Sequence, residues 1–173
     1  MADTERIKEA AERNLKALEL GPAIGRGTAT TKVCVRDGLT VDIEDGGWKL
    51  VGDEGKGDGG NGEGPDPGVF GRAALGSCLA IGYMTWAAVR GVPITNLEVD
   101  VEADYDAAGT MGIDPSRPVG WSAMRYTVHV ESNAPAAEIE ALLDHADKHS
   151  SILYAFANPI PISRSVKITA PAN

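Results

Sequence analysis

Cysteine is scarce in this chain, whose 173 residues hold only Cys34 and Cys78. Two thiols argue against a disulfide scaffold, and residues 1–19 are charged and amphipathic rather than an apolar leader. A reducing, cytoplasmic location is therefore expected. Positive charge is the next shortage. Sixteen Lys and Arg stand against twenty-five Asp and Glu, a net charge of −9, and no local basic patch reverses the sign. Such a surface repels phosphate backbones and acidic lipids, so neither nucleic acid nor a membrane is an expected partner. Ordered ligand spacing is also missing. The Gly- and Asp-rich stretch 52–68 lacks the oxygen spacing of a calcium loop. It does contain Gly55-x-Gly57-x-x-Gly60, but no helix follows at once, and Asp53, Glu54, Asp58 and Glu63 oppose a pyrophosphate. This stretch reads as a flexible flap, and neither a metal nor a cofactor is expected.

One long apolar run is present, from 69 to 89. It approaches bilayer length, yet Arg72 lies inside it and no basic flank follows, so it predicts a central soluble helix. Asp66 and Pro67 supply a cap and a first position, and Gly91 and Pro93 end it. Residues 3–20 predict an amphipathic docking helix with Ile7, Ala11, Leu15 and Leu18 on one face. Residues 27–35 and 39–43 predict strands around the turn Arg36-Asp37-Gly38, and 48–51 continues the second arm. Residues 97–105 alternate strictly, placing Val99, Val101, Ala103 and Tyr105 opposite Asp100, Glu102 and Asp104. Residues 121–131 alternate likewise, with Met124, Tyr126, Val128 and Val130 facing inward and His129 on the polar side. The four carboxylates counting Asp106 then read as a solvated sheet face. A helix over 135–149, a helical turn or two over 150–158 and a last strand over 162–169 complete the chain. Hairpin pairing without strand–helix–strand alternation predicts an α+β fold with mainly antiparallel sheets packed on two long helices.

Cys78 sits in the middle of the long helix. It is either an inert small core residue or a reactive thiol. A free thiol with a pKa of about 8.5 is only a few per cent ionised at neutral pH, and half-ionisation requires about 2 kcal/mol of thiolate stabilisation. A guanidinium about 4 Å away supplies up to about 4 kcal/mol at an effective dielectric near 20. The dipole of the long helix adds little, because Cys78 lies three turns inside its start. Arg36, His149 and Arg72 are the candidate cations, in that order. Arg36 has an alternative role as a turn residue, and His149 as a cation on the last carbonyls of its helix. Cys34 is expected in the core of the first strand, and it serves as a second redox thiol only within about 7 Å of Cys78 between α-carbons.

Pro65-Asp66-Pro67, Ala73-Ala74-Leu75-Gly76-Ser77-Cys78-Leu79-Ala80, Gly91-Val92-Pro93-Ile94 and Leu97-Glu98-Val99-Asp100-Val101 together resemble the OsmC/Ohr family of hydroperoxide-resistance proteins, from about Gly27 to Ile168. The resemblance implies an intertwined homodimer with a site at its interface, an N-terminal helical extension over 1–22 and a single OsmC-like domain over 23–173. It implies that Cys78 is the peroxidatic thiol, that Arg36 matches the assisting hairpin arginine, and that a later cysteine resolves Cys78 as a disulfide. This chain departs from the pattern twice. Ser150 stands where the second thiol belongs, and Gly68 stands at the place of an assisting glutamate, for which Glu63 or Asp66 could substitute. The implied activity is reduction of organic hydroperoxides, with an external thiol reductant returning Cys78 to the thiol. The alternative is a non-catalytic protein that binds an apolar small ligand at the dimer interface.

Overall fold

The computed structural model describes residues 4–170. Helix α1 spans Thr4–Leu20, so Asp3 of the predicted helix lies outside the described residues. Strands β1 (Lys32–Asp37), β2 (Thr40–Asp45) and β3 (Trp48–Gly52) follow, then α2 (Pro67–Arg90) and β4 (Asn96–Asp104). A single helical turn α3 (Ala107–Thr110), strand β5 (Ala123–Glu131), α4 (Ala136–Asp147) and α5 (Ser151–Ala157) complete the order. The fold is mixed helix and antiparallel sheet. Among the described residues, no helix is long and apolar enough to cross a membrane.

Local chemistry sets the limits of α2. The Asp66 carboxylate accepts from the Val69 amide at 3.1 Å, satisfying one of the amides a helix start leaves free, and Pro67 needs no partner for its missing N–H. At the other end Gly91 turns left-handed at φ 69°, a conformation that costs glycine nothing. Leu75, Leu79 and Tyr83, each no more than 2% exposed, face the sheet of β4 and β5, where Leu97, Val99, Val101, Met124, Tyr126 and Val128 meet them. β4 and β5 pair antiparallel with Val99 opposite Val128 and Val101 opposite Tyr126. The inward–outward alternation follows from the two-residue period of a strand. Tyr105 is the exception to the expected inner face. The strand ends at Asp104, and Tyr105 is exposed beyond it.

The outer face of this sheet is paired rather than merely solvated. Arg125 bonds Glu102 and Asp104 at 2.9 Å each, His129 lies 3.0 Å from Asp100, and Asp106 pairs with Arg117. These contacts are exposed and screened by water, so they contribute little to stability.

The first sheet has the order β1-β2-β3, so residues 48–52 form a third strand in antiparallel register with β2. Every residue of β1 is exposed, including Cys34, so the core position expected for that thiol is not found. β1 and the start of β3 stand open to solvent: Val35 is 72% and Trp48 76% exposed. The strand expected over 162–169 is not found. Residues 159–170 pair with neither sheet and run without regular structure.

The stretch 52–68, expected as a flexible flap, is instead wrapped around one buried carboxylate. Asp53 accepts from the amides of Glu54, Asn61 and Glu63 at 2.8, 3.2 and 3.0 Å and from the Thr40 hydroxyl at 2.9 Å. A β-carbon on Gly64 would stand 2.4 Å from the Val51 carbonyl oxygen, so only glycine allows the loop to pass that close to β3.

Candidate active site

The thiol of Cys78 is half-buried and meets the break between α4 and α5. Its Sγ lies 3.3 Å from the Ser150 hydroxyl, and Ser150 is 7% exposed. Ser150 caps α5, with its Oγ accepting from the Leu153 amide at 3.3 Å. That bond occupies a lone pair and leaves the hydroxyl proton free for the sulfur. Burial pushes the Cys78 thiol up. Against it act the Ser150 hydroxyl, the Ile152 amide, and the hydroxyl and amide of Ser151, which together hold the thiol below its ordinary value. The donors that stabilise a thiolate therefore come from the start of α5 rather than from the start of α2. Fixed donors of this kind are among the means by which proteins raise thiol reactivity.

None of those groups is a cation. Arg36 pairs with Glu63 at 2.5 Å and with Asp42 at 3.7 Å. Arg36 and Glu63 are thus brought together, in an exposed pair distinct from the donors on Cys78. His149 places Nδ1 2.7 Å from the His145 carbonyl; a carbonyl only accepts, so Nδ1 carries the proton. Its ring stacks on His145 and Trp86, which fixes it as a helix-end group. Asp66 is committed to the α2 cap. Arg72 hangs over Gly68: a β-carbon there would stand 3.2 Å from its Nη1 and 2.8 Å from the Asp66 carboxylate. The place of the missing glutamate is thus flanked by one charge of each sign.

A second polar cluster lies farther along α2, and reading the sequence missed it. The Tyr83 and Tyr126 hydroxyls each donate to Asp147, one to Oδ1 and one to Oδ2, both at 2.6 Å. Burial, then the Asp147 carboxylate, raises both phenols well above their ordinary value, Tyr126 to about 12. The signal was present in the sequence. Asp147 falls four residues after Leu143 on the apolar stripe of α4, and a carboxylate there requires buried donors.

Beside α5 an open groove of about 460 Å³ is lined by Leu75, Trp121, Met124, Leu153 and Phe156, among others. Among the described residues no cluster of three or more His, Cys, Asp or Glu side chains could hold a metal ion.

The family model described as OsmC-like protein matches residues 59–165, which include Cys78, Ser150 and both helices around them. The chain belongs to the OsmC-like family. The first hairpin, with Arg36, lies outside the matched residues. No protein of curated function matches the sequence. Among solved structures, an OsmC-like protein from Mycoplasma pneumoniae superposes with a TM-score of 0.65 at 14% identity, covering 76% of this chain and 88% of that one. An organic hydroperoxide resistance protein OsmC from Legionella pneumophila gives 0.56 at 20% identity, covering 75% of this chain and 89% of that one. An OsmC-like protein of unknown function from Vibrio cholerae gives 0.57 at 14% identity, with 75% and 94% covered. At these identities the likeness establishes the OsmC-like fold.

Proposed function

We propose that this OsmC-like chain reduces organic hydroperoxides at Cys78 in the cytoplasm and relies on an external thiol for turnover. The observation that supports this is the set of donors from residues 150–152 gathered on one half-buried sulfur, which favours the thiolate. The thiolate attacks the outer peroxide oxygen and the O–O bond breaks. The alkoxide leaves and takes a proton as the alcohol, and Cys78 becomes a sulfenic acid. A first external thiol then displaces water to give a mixed disulfide. A second thiol releases Cys78 and carries the disulfide away, so two thiols are oxidised for each peroxide reduced.

The proposed unit is a homodimer. Val35, Trp48 and Ile162 are 72%, 76% and 94% exposed, an amount of apolar surface that a second copy would cover.

A competing reading is a non-catalytic protein that holds an apolar ligand. Two observations favour it: the groove beside α5, and the lack of a cation among the groups on Cys78. Turnover of cumene hydroperoxide with dithiothreitol separates the two readings. The expected result is activity in the native chain and none in Cys78→Ser, which keeps the size of the side chain but cannot be oxidised in this way. Equal activity in Cys78→Ser, or none in the native chain, overturns the enzyme reading.

A further inference from the structure

The polar cluster on Asp147 sits one turn before the residue that touches Cys78. Asp147 ends α4, and its main-chain carbonyl accepts from the Ser150 amide at 3.1 Å, so the two residues close a single turn. Its side chain is gripped from two sides. Tyr83 reaches it from α2, five residues beyond Cys78 on the same helix, and Tyr126 from the inner face of β5. Tyr83 is fully buried, and both bonds are as short as charge-assisted hydrogen bonds become. No other hydrogen bond joins the side chains of α4 to α2 among the described residues.

We propose that Tyr83, Asp147 and Tyr126 form a clamp whose function is to position the Ser150 hydroxyl on the sulfur of Cys78. Apolar contacts between α2 and α4, such as that of Leu79 with Ala146, resist separation but permit small slides, because dispersion has no preferred direction. A carboxylate gripped at both oxygens resists slides as well. The contact from Ser150 to sulfur at 3.3 Å tolerates little displacement before the bond is lost. Tyr83, Tyr126 and Asp147 are therefore positioning residues, which touch neither the sulfur nor a peroxide. This inference rests on the reading of Cys78 as a reactive thiol.

The test is the pH profile of Cys78 alkylation by iodoacetamide in a Cys34→Ser background, for the parent, Tyr126→Phe, Ser150→Ala and the double variant. Tyr126→Phe removes one hydroxyl and keeps the ring, so the core remains filled. Losing one donor to a charged group raises the apparent thiol pKa by about one unit, close to a tenfold fall in rate below that pKa. Tyr126→Phe is expected to show up to that loss, and Ser150→Ala the whole of it. If the clamp acts through Ser150, the double variant matches Ser150→Ala alone. Independent, multiplying losses overturn the clamp, as does a Tyr126→Phe profile that coincides with the parent's while Tm falls. A parent profile with an ordinary thiol pKa is a different failure. It overturns the reactive-thiol reading, and the clamp with it.

Discussion

Ser150→Cys supplies the second thiol that the resemblance leads one to expect at that position, and the structure fixes what should follow. The Ser150 oxygen lies 3.3 Å from the sulfur of Cys78. A disulfide needs about 2.0 Å, so the two atoms must close by about 1.3 Å. The longer carbon–sulfur bond and a small rotation of either side chain supply that movement. Seventy-two residues separate the two positions, and a cross-link over a loop of that length removes enough chain entropy to stabilise the folded state by about 4 kcal/mol. For a domain of this size that corresponds to roughly 10 °C in Tm. The assay is stoichiometric cumene hydroperoxide on Ser150→Cys in a Cys34→Ser background, followed by intact mass spectrometry and by melting with and without reductant. The expected product has lost two hydrogens and melts higher when oxidised. The native chain, lacking that thiol, should instead pass through a dimedone-trappable sulfenic acid and gain oxygen as the dose rises. A Ser150→Cys chain that gains oxygen without bridging refutes the placement of Ser150 against Cys78, and a bridged form that melts no higher refutes the chain-entropy gain.

Two further outcomes test the surroundings of the site. Gly71→Ala puts a β-carbon 2.5 Å from Cη2 of Trp121, a ring that also packs on Phe156 at 5.9 Å between centroids; overpacking of this kind costs about 1–3 kcal/mol, and a Tm equal to that of the parent would show that the ring moves aside freely. Asp53 is held below the ordinary carboxyl value by the Glu63 amide foremost, against an opposing push from burial, with the Thr40 hydroxyl and the amides of Glu54 and Asn61 adding to the lowering. A carboxyl lowered on folding stabilises the fold fully above its unfolded pKa, near 3.9, and loses that contribution as pH falls through the lower folded value. Asp53→Asn, whose amide turns a donor toward donors, should therefore melt lower at neutral pH and lose less between about pH 5 and pH 2. Melting curves that fall in parallel for the two proteins would count against Asp53 as the hub of the loop.

The long elements were legible because one periodicity and one cap each sufficed. Asp66, Pro67 and Gly91 announce both ends of α2, and the alternation from Leu97 to Ala103 announces β4 and its inner face. The pairing of Cys78 with Ser150 was half legible. Sequence position marks Ser150 as the replaced thiol, but no local signal says that the Ser151 and Ile152 amides face the same sulfur, since that depends on how α5 meets α2. Cys34 was misplaced because a strand reads as half-buried only when something covers it, and among the described residues nothing covers β1. The order of residues 52–68 was hidden for a related reason. A single carboxylate, Asp53, gathers amides from three different points of the loop, and glycine-rich composition carries no trace of such a centre.

The break between α4 and α5 has a consequence for how freely the chemistry of Cys78 can vary. Were residues 136–157 one continuous helix, the amides near position 150 would be spent on carbonyls four residues earlier, and none would remain for a sulfur. The donors on the thiol are thus held at an interruption of the backbone, away from the helix that bears it. Substitutions around 148–150 that favour an unbroken helix would remove those donors from Cys78 while leaving α2 and its core contacts untouched, and those that keep the interruption would keep the donors in place. The polar surroundings of Cys78 and the packing of its helix can therefore drift independently, one governed at a joint and the other along a rod.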